Sequence, residues 1–377
     1  MRKKKKSNQG IIVLFVIGIA CMALYFLIPK PPLTLDMMEK RAVWVSYLDL
    51  DDLDYSSITS FEKGFENICI NTVNNQCNTL IVHVRAFQDA LYKTNKFPIS
   101  KVITGRELTY DPLDIMIEIA HQYHLKFEAW INPYRISHNQ ATFNQFINNS
   151  PIKDWINTEH VIKYGEYNYI FNPGSERARD YIVDGVREIV ENYNVDAIHF
   201  DDYFYVEGTY QGVSEKQRKE NVNILIKDVY KTIKDMNSNI EFGISPQGNY
   251  ENCLLAGADV DTWLSNDGYI DYIMPQIYWT NEYYRDGKIK MFNKRVSAWK
   301  RIDRNEDVDL YVGLALYQSG KELSHDKGWS TSSDNIVEQI EILYDYDING
   351  YCLFSYNSML GNGKKEMDNL LSKYIIY

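Results

Sequence analysis

The sequence predicts one α/β domain, a (β/α)8 barrel, preceded by an N-terminal transmembrane or signal-anchor helix. Three observations predict it. Short apolar runs alternate with helical patterns eight times. Within several runs, alternate residues are polar and cluster toward the C-terminal end. The first 28 residues form a basic head and an uncharged apolar stretch unlike anything after them.

The N-terminal stretch comes first. Arg2 and Lys3 to Lys6 precede Ile11 to Ile28, eighteen residues without a charge. That length just spans a bilayer, and the basic flank belongs on the cytoplasmic side. Three fates remain open: an uncleaved anchor, a cleaved signal peptide, or lipidation at Cys21, which follows Gly18-Ile19-Ala20. In each, the domain lies outside the cytoplasm, attached to a bacterial cell membrane in the first and third. We divide the chain into a tail and anchor over 1–29, a Pro-containing linker over 30–40, and a barrel over 41–377.

The barrel strands are expected at Ala42–Tyr47, Thr79–Arg85, Lys126–Asn132, Ala197–Asp201, Ile240–Ser245, Tyr269–Gln276, Leu310–Leu316 and Gly350–Phe354. Helices are expected at Ile58–Asn74, Pro112–Tyr123, Glu176–Tyr193, Ser214–Met236, Val296–Arg301 and Asn335–Tyr344. Asp111 followed by Pro112 is a helix start with an N-cap and a pre-set first turn. Strand, crossover and strand repeated in this way give a parallel sheet under helices. Eight units with one handedness close it.

Parity assigns the faces. Leu80, Val82 and Val84 share one face, His83 and Arg85 the other. Phe127, Ala129 and Ile131 oppose Glu128, Trp130 and Asn132. The polar sets should point into the barrel, with the last of each at its C-terminal mouth, where barrel enzymes keep their chemistry. Loops after the strands carry Tyr134 and Trp155; Tyr203, Phe204, Tyr205 and Tyr210; and Tyr278, Trp279, Tyr283 and Tyr284. We expect them to wall a sugar groove.

The densest signal is Ile198-His199-Phe200-Asp201-Asp202-Tyr203. Two adjacent carboxylates at a strand end, flanked by aromatic residues, suit a glycosidase. Such enzymes set a carboxylic acid and a carboxylate across the scissile bond, at about 5–5.5 Å or about 6.5–9.5 Å. Alternation sends Asp201 inward with His199 and Tyr203. Asp202 joins it only if the strand has ended there. Glu128 is the reserve carboxylate, with a salt bridge to Arg85 or Arg135 as its structural alternative. Arg85, Trp130, Asn132, Arg135, His199, Tyr203, Gln247, Gln276 and Tyr278 are expected to bind substrate, and Ser245 stands at the same barrel end.

Other chemistries have little support. The formal net charge is −11, and about −16 once the five basic residues of the head are set aside. Such a domain suits no nucleic acid. No GxSxG elbow, P-loop or CxxC pair is present. His121 and His124 read as solvated, and a zinc site from His83 or His199 with Asp201 is the weaker alternative. No metal or cofactor is required. Cys69, Cys77, Cys253 and Cys352 read as small buried hydrophobes, although Cys69 and Cys77 could pair.

At Arg41-Ala-Val-Trp-Val45, Asp89-Ala-Leu-Tyr92, Ala129-Trp-Ile-Asn-Pro-Tyr-Arg135, Ile198-His-Phe-Asp-Asp-Tyr-Phe-Tyr205, Gly243-Ile-Ser-Pro246 and Asp271-Tyr-Ile-Met-Pro-Gln-Ile-Tyr-Trp279, the chain resembles glycosyl-hydrolase-like family ten. The resemblance implies a (β/α)8 fold, export with membrane attachment, and cleavage of peptidoglycan strands stripped of stem peptides. It also sets Asp201 where the similar amylase and chitinase strand-four motifs hold a key aspartate. The chitinase-like glutamate is replaced by Tyr203, so that mechanism does not carry over. Ala197 stands for the usual Gly, Glu128 for an expected His, and Gly248-Asn249-Tyr250-Glu251 for a run with a cation. The expected function is hydrolysis of cell-envelope glycan by carboxylate acid/base catalysis. An exopolysaccharide hydrolase, a glycan-binding protein without catalysis and an envelope scaffold are the alternatives.

Overall fold

In the computed structural model, which describes residues 30–103, 109–284 and 288–374, eight parallel strands form one sheet that closes on itself. They are β1 (Lys40–Val45), β2 (Thr79–Arg85), β3 (Lys126–Ile131), β4 (Ala197–Phe200), β5 (Glu241–Ile244), β6 (Tyr272–Ile273), β7 in two pieces (Asp309–Leu310 and Val312–Leu314) and β8 (Gly350–Phe354). The first piece of β7 pairs with β6 and the second with β8. One segment thus joins both ends of the sheet, as a (β/α)8 barrel requires.

Helices follow the strands: α1 (Ile58–Asn74), α2 (Pro112–Gln122), α3 (Glu176–Asn192), α4 (Glu215–Met236), α5 (Val260–Ser265), α6 (Met291–Lys300), α7 (Asn335–Asp345) and α8 (Lys364–Tyr374). Four begin at side-chain caps. Ser57, Asp111, Ser175 and Ser214 each accept a hydrogen bond from a backbone N–H of the first turn, satisfying a donor the helix cannot. Ser214 is thus a cap, not a helical residue. The short α5 had no expected counterpart. Its six residues are too few to show a helical period.

The compact unit begins at Leu35. Leu35 and Met38 are fully buried, and Arg41 donates to both of their carbonyls. The anchor expected over residues 1–29, and Cys21 with it, lie outside the described residues. Among the described residues no helix is long and apolar enough to cross a membrane.

The sheet separates two apolar layers. Phe61, Phe65, Leu113, Met116 and Ile117 cover its outside. Ala42, Trp44, Ile81, Trp130, Tyr272, Met274, Tyr311 and Cys352 fill its inside. The large interior rings demand small residues opposite. A Cβ at Gly243 would lie 1.9 Å from the Tyr272 ring, and one at Gly313 would lie 2.7 Å from Trp44. Cys69, Cys77, Cys253 and Cys352 are free, buried thiols.

The long excursion after β3 folds into an antiparallel three-stranded sheet (Arg135–Ser137, Val161–Lys163, Tyr169–Phe171) and a helix (Gln140–Asn149). Trp155 is buried there against His160, Phe171 and Tyr181. It is a packing residue, not a groove wall.

Candidate active site

β4 ends at Phe200, so the backbone is free to turn at the two aspartates. Both line one cavity of about 330 Å³ at the C-terminal mouth. Trp44, Ser46, Tyr47, His83, Trp130, Arg135, Ser245, Gln276, Tyr278, Tyr317 and Phe354 line it with them. The volume lies at the low end of ligand clefts, about 300–1,000 Å³.

Asp201 is 6% exposed. Its Oδ2 accepts from Asn132 Nδ2 at 2.8 Å and Trp130 Nε1 at 3.2 Å, and its Oδ1 accepts from the Tyr203 backbone N–H at 3.2 Å. Burial first, and the charge of Asp202 second, push the Asp201 carboxyl up to about 7, against the pull of Arg135, the Tyr203 N–H and Trp130. Burial also raises Asp202, which takes a 3.3 Å hydrogen bond from Gln276 Nε2. Burial of both carboxyls and the charge of Asp202 on Asp201 resist double ionisation, so the pair holds one proton toward neutral pH.

The floor is polar and fixed. His199 is fully buried and is held neutral by burial and by the Lys40 charge. Trp44 Nε1 lies 3.4 Å and Ser245 Oγ 2.9 Å from its Nε2, and Tyr272 Oη lies 2.8 Å from its Nδ1. Indole nitrogen only donates, so Nε2 accepts and Nδ1 carries the proton. Tyr272 in turn donates to Glu128 at 2.6 Å.

The rim owes its shape to a carboxylate that sequence patterns did not flag. Asp49, buried behind β1, accepts from Ser46 N and Oγ on one oxygen and from Ser355 Oγ and Asn357 N on the other. It ties the ends of β1 and β8 together. Phe354 then meets Trp44, Trp130, Tyr278 and Tyr317, all with ring centroids within 6.5 Å.

The family model of glycosyl hydrolase-like 10 matches residues 39–215 and 210–331, which include every strand from β1 to β7 and the two aspartates. The chain belongs to this glycosyl hydrolase-like family. It is 31% identical to glycosyl hydrolase YngK of Bacillus subtilis (strain 168), over 89% of this chain and 72% of that protein. It is 27% identical to glycosyl hydrolase DigH of Escherichia coli (strain K12), over 80% of this chain and 79% of that one. Among solved structures, the glycoside hydrolase domain of PgaB (BpsB) from Bordetella bronchiseptica superposes with TM-score 0.59 at 12% identity, over 88% of this chain and 98% of that domain. Alpha-L-fucosidase isoenzyme 2 of Paenibacillus thiaminolyticus gives 0.53 at 11%, over 88% of this chain and 49% of that one. At such identities the likeness is one of fold.

Within this member of the glycosyl hydrolase-like 10 family, the expected residues divide. Asp201, Asp202, Trp130, Asn132, Arg135, Gln276 and Tyr278 gather at or directly beneath the pocket. Tyr203 stands at the rim, its hydroxyl 2.5 Å from that of Tyr164. Gln247 reaches the mouth by its backbone, bridged to Gln276. His199 lies under the floor.

Arg85 and Glu128 are elsewhere. A bulge in β2 lets His83 face Trp130 while Arg85 faces Ile131. The extra residue, Val84, reverses the parity, and Arg85 leaves the barrel interior. It lies buried 3.6 Å from the Phe97 ring and donates to Gln88. Glu128 points inward but sits one side-chain layer below Trp130. There it accepts from Lys40 Nζ at 2.6 Å, in an ion pair closed on every side. Its partner is neither Arg85 nor Arg135. Phe204 and Tyr205 are also buried, as core. His121 is not simply solvated; it bonds Asp196 at 2.9 Å. Among the described residues no three His, Cys, Asp or Glu side chains gather as a metal site. Trp44, Tyr47, Tyr317 and Phe354 were not anticipated as lining. The inward parity of β1 and β8 was the available signal for Trp44 and Phe354.

Proposed function

We propose that the domain hydrolyses glycan strands of cell-envelope polysaccharide, namely peptidoglycan lacking stem peptides, by carboxylate acid/base catalysis. The observation that carries this reading is the Asp201–Asp202 pair, raised in pKa and set in an aromatic pocket at the barrel mouth. At rest Asp201 keeps the proton of the pair up to about 7; its three N–H donors favour its ionised form once that proton has moved to Asp202, which suits a nucleophile or a stabiliser of positive charge at the anomeric carbon. The shared proton then rests on Asp202, the acid for the leaving oxygen. Part-exposed Tyr278 and Phe354 offer faces to sugar rings, while part-exposed Gln276 offers a hydroxyl partner. We further propose that residues 1–29 hold the domain on the outer face of a bacterial membrane; protease accessibility on intact cells against lysed cells checks it.

The test is incubation of the chain from about Leu33 with amidase-treated peptidoglycan strands, following product masses. Wild-type products that vanish with Asp201→Asn and Asp202→Asn support the proposal. Products from a secreted polysaccharide instead would move the substrate. Binding without products would make the domain a glycan-binding protein.

A further inference from the structure

Arg135 is the single cation among the described residues lining the mouth pocket. Its Nε–H donates to the Ala86 carbonyl at 3.0 Å. The Phe87 ring lies 4.3 Å and the Tyr203 ring 5.1 Å from its guanidinium carbon. These contacts fix the plane of the guanidinium, and among the described residues its two terminal nitrogens have no carboxylate partner. Asp201 and Asp202 feel its charge, but neither closes an ion pair with it.

A second group points the same way. His83 lines the same pocket, is 3% exposed, and has no hydrogen-bond partner on either ring nitrogen. Its ring stacks on Trp130 at 3.6 Å between centroids and 9° between planes. Burial, Arg135 and His199 keep it neutral, so it offers one N–H donor and one acceptor. Buried polar atoms without partners are costly and mark a place where something else supplies the bond.

We infer that Arg135 and His83 form a carboxylate subsite beside the aspartate pair. It takes an anionic substituent of the sugar bound there. The guanidinium fork matches a carboxylate edge to edge, and the imidazole N–H adds a third donor. The net charge of the domain does not oppose this. Beyond about 8–10 Å that charge is screened, and a direct guanidinium pair acts within hydrogen-bond distance.

The subsite specifies the substrate more closely, and it rests on the proposed reading only for the choice of sugar. The lactyl group of N-acetylmuramic acid ends in a carboxyl. With a stem peptide attached, that carboxyl is an amide, uncharged and extended by a chain. Stripping the stem restores the carboxylate that Arg135 and His83 are placed to bind. A preference for stripped strands then follows from charge as well as from bulk.

The test is binding, which does not depend on turnover. The disaccharide of N-acetylglucosamine and N-acetylmuramic acid is titrated as free acid and as methyl ester, by NMR or calorimetry. The proteins are wild type, Arg135→Gln, Arg135→Lys and His83→Ala. Wild type should bind the acid about 10- to 100-fold tighter than the ester, the range of a charged hydrogen-bonded contact. Arg135→Gln should erase that difference, lowering affinity for the acid about 10- to 100-fold more than affinity for the ester. Arg135→Lys should restore part of it, and His83→Ala should reduce it. Equal affinity of wild type for acid and ester, or no binding of either, overturns the subsite. An equal loss for both ligands in Arg135→Gln does the same, since it would show Arg135 serving only the fold or the aspartates. Failure of wild type to cleave any glycan, with the acid preference intact, would overturn the hydrolase reading instead.

Discussion

Replacing Asp201 by Asn should abolish activity and, above neutral pH, leave the protein as stable as before or more so. The carboxyl stands at about 7 when folded against an ordinary 3.8. The sign follows from proton counting. Between these values the unfolded chain has lost the proton and the native state keeps it, so stability falls as pH rises through that window. Once native Asp201 ionises, the accumulated cost is roughly 4 kcal/mol, at 1.36 kcal/mol per pH unit. Asn carries no charge and avoids it. The amide must oppose one donor: with its oxygen toward Trp130 and Asn132, its NH2 faces the Tyr203 N–H. That mismatch costs about 1–3 kcal/mol. The variant should therefore fall below wild type by up to about 2 kcal/mol near pH 4 and exceed it by about 1–3 kcal/mol near pH 8. At this chain length, each kcal/mol moves Tm by roughly 1.5 °C. Thermal melts across pH 4–8 measure this. Product release from amidase-treated strands should fall by about 10³-fold or more. A folded variant with more than a tenth of wild-type rate would refute a catalytic Asp201. A variant destabilised equally at every pH would refute the strained carboxyl.

Other substitutions separate chemistry from architecture. Asp202→Asn removes the proposed acid and should cost about 10²–10⁴ in rate while flattening the alkaline limb of the pH–rate profile. Trp130→Phe keeps the stack on His83 but deletes one donor to Asp201; the Asp201 titration, followed by carboxyl NMR, should move upward and the rate fall. Glu128→Leu leaves buried Lys40 with the longer, part-exposed contact to Glu241 at 3.5 Å in place of its 2.6 Å partner, at up to about 3–5 kcal/mol. Its soluble fraction and Tm should drop, whereas the Asp201 pKa should hold. Gly243→Ala drives a methyl into the Tyr272 ring, and loss of soluble protein on expression checks it.

The sequence carried the barrel because each strand and helix is a local pattern. β2, β8 and α1 have the bounds expected of them. The aspartate pair was legible for the same reason, being contiguous. What failed was non-local or one residue in size. The bulge at Val84 has no composition of its own, yet it reverses Arg85. Glu128 is inward as parity demands, but the parity of β3 says nothing of depth in the barrel or of Lys40, 88 residues earlier. The aromatic rim joins residues from β1 and β8, at opposite ends of the chain, through Asp49. The loop aromatics misled because rings serve packing as readily as binding, and Trp155 and Phe204 do the former.

The hydrogen bonds inside the barrel converge on Glu128. Trp44 gives to His199, His199 to Tyr272, Tyr272 to Glu128, and Lys40 gives to Glu128 from below. The side chains that bond the two aspartates, Trp130, Asn132 and Gln276, are indole and amide N–H donors, which relay no proton into this network. The interior is a dead end for protons. Those that the aspartates gain and lose must travel through water in the open mouth, so the same opening that admits the sugar also sets the rate at which the site is recharged.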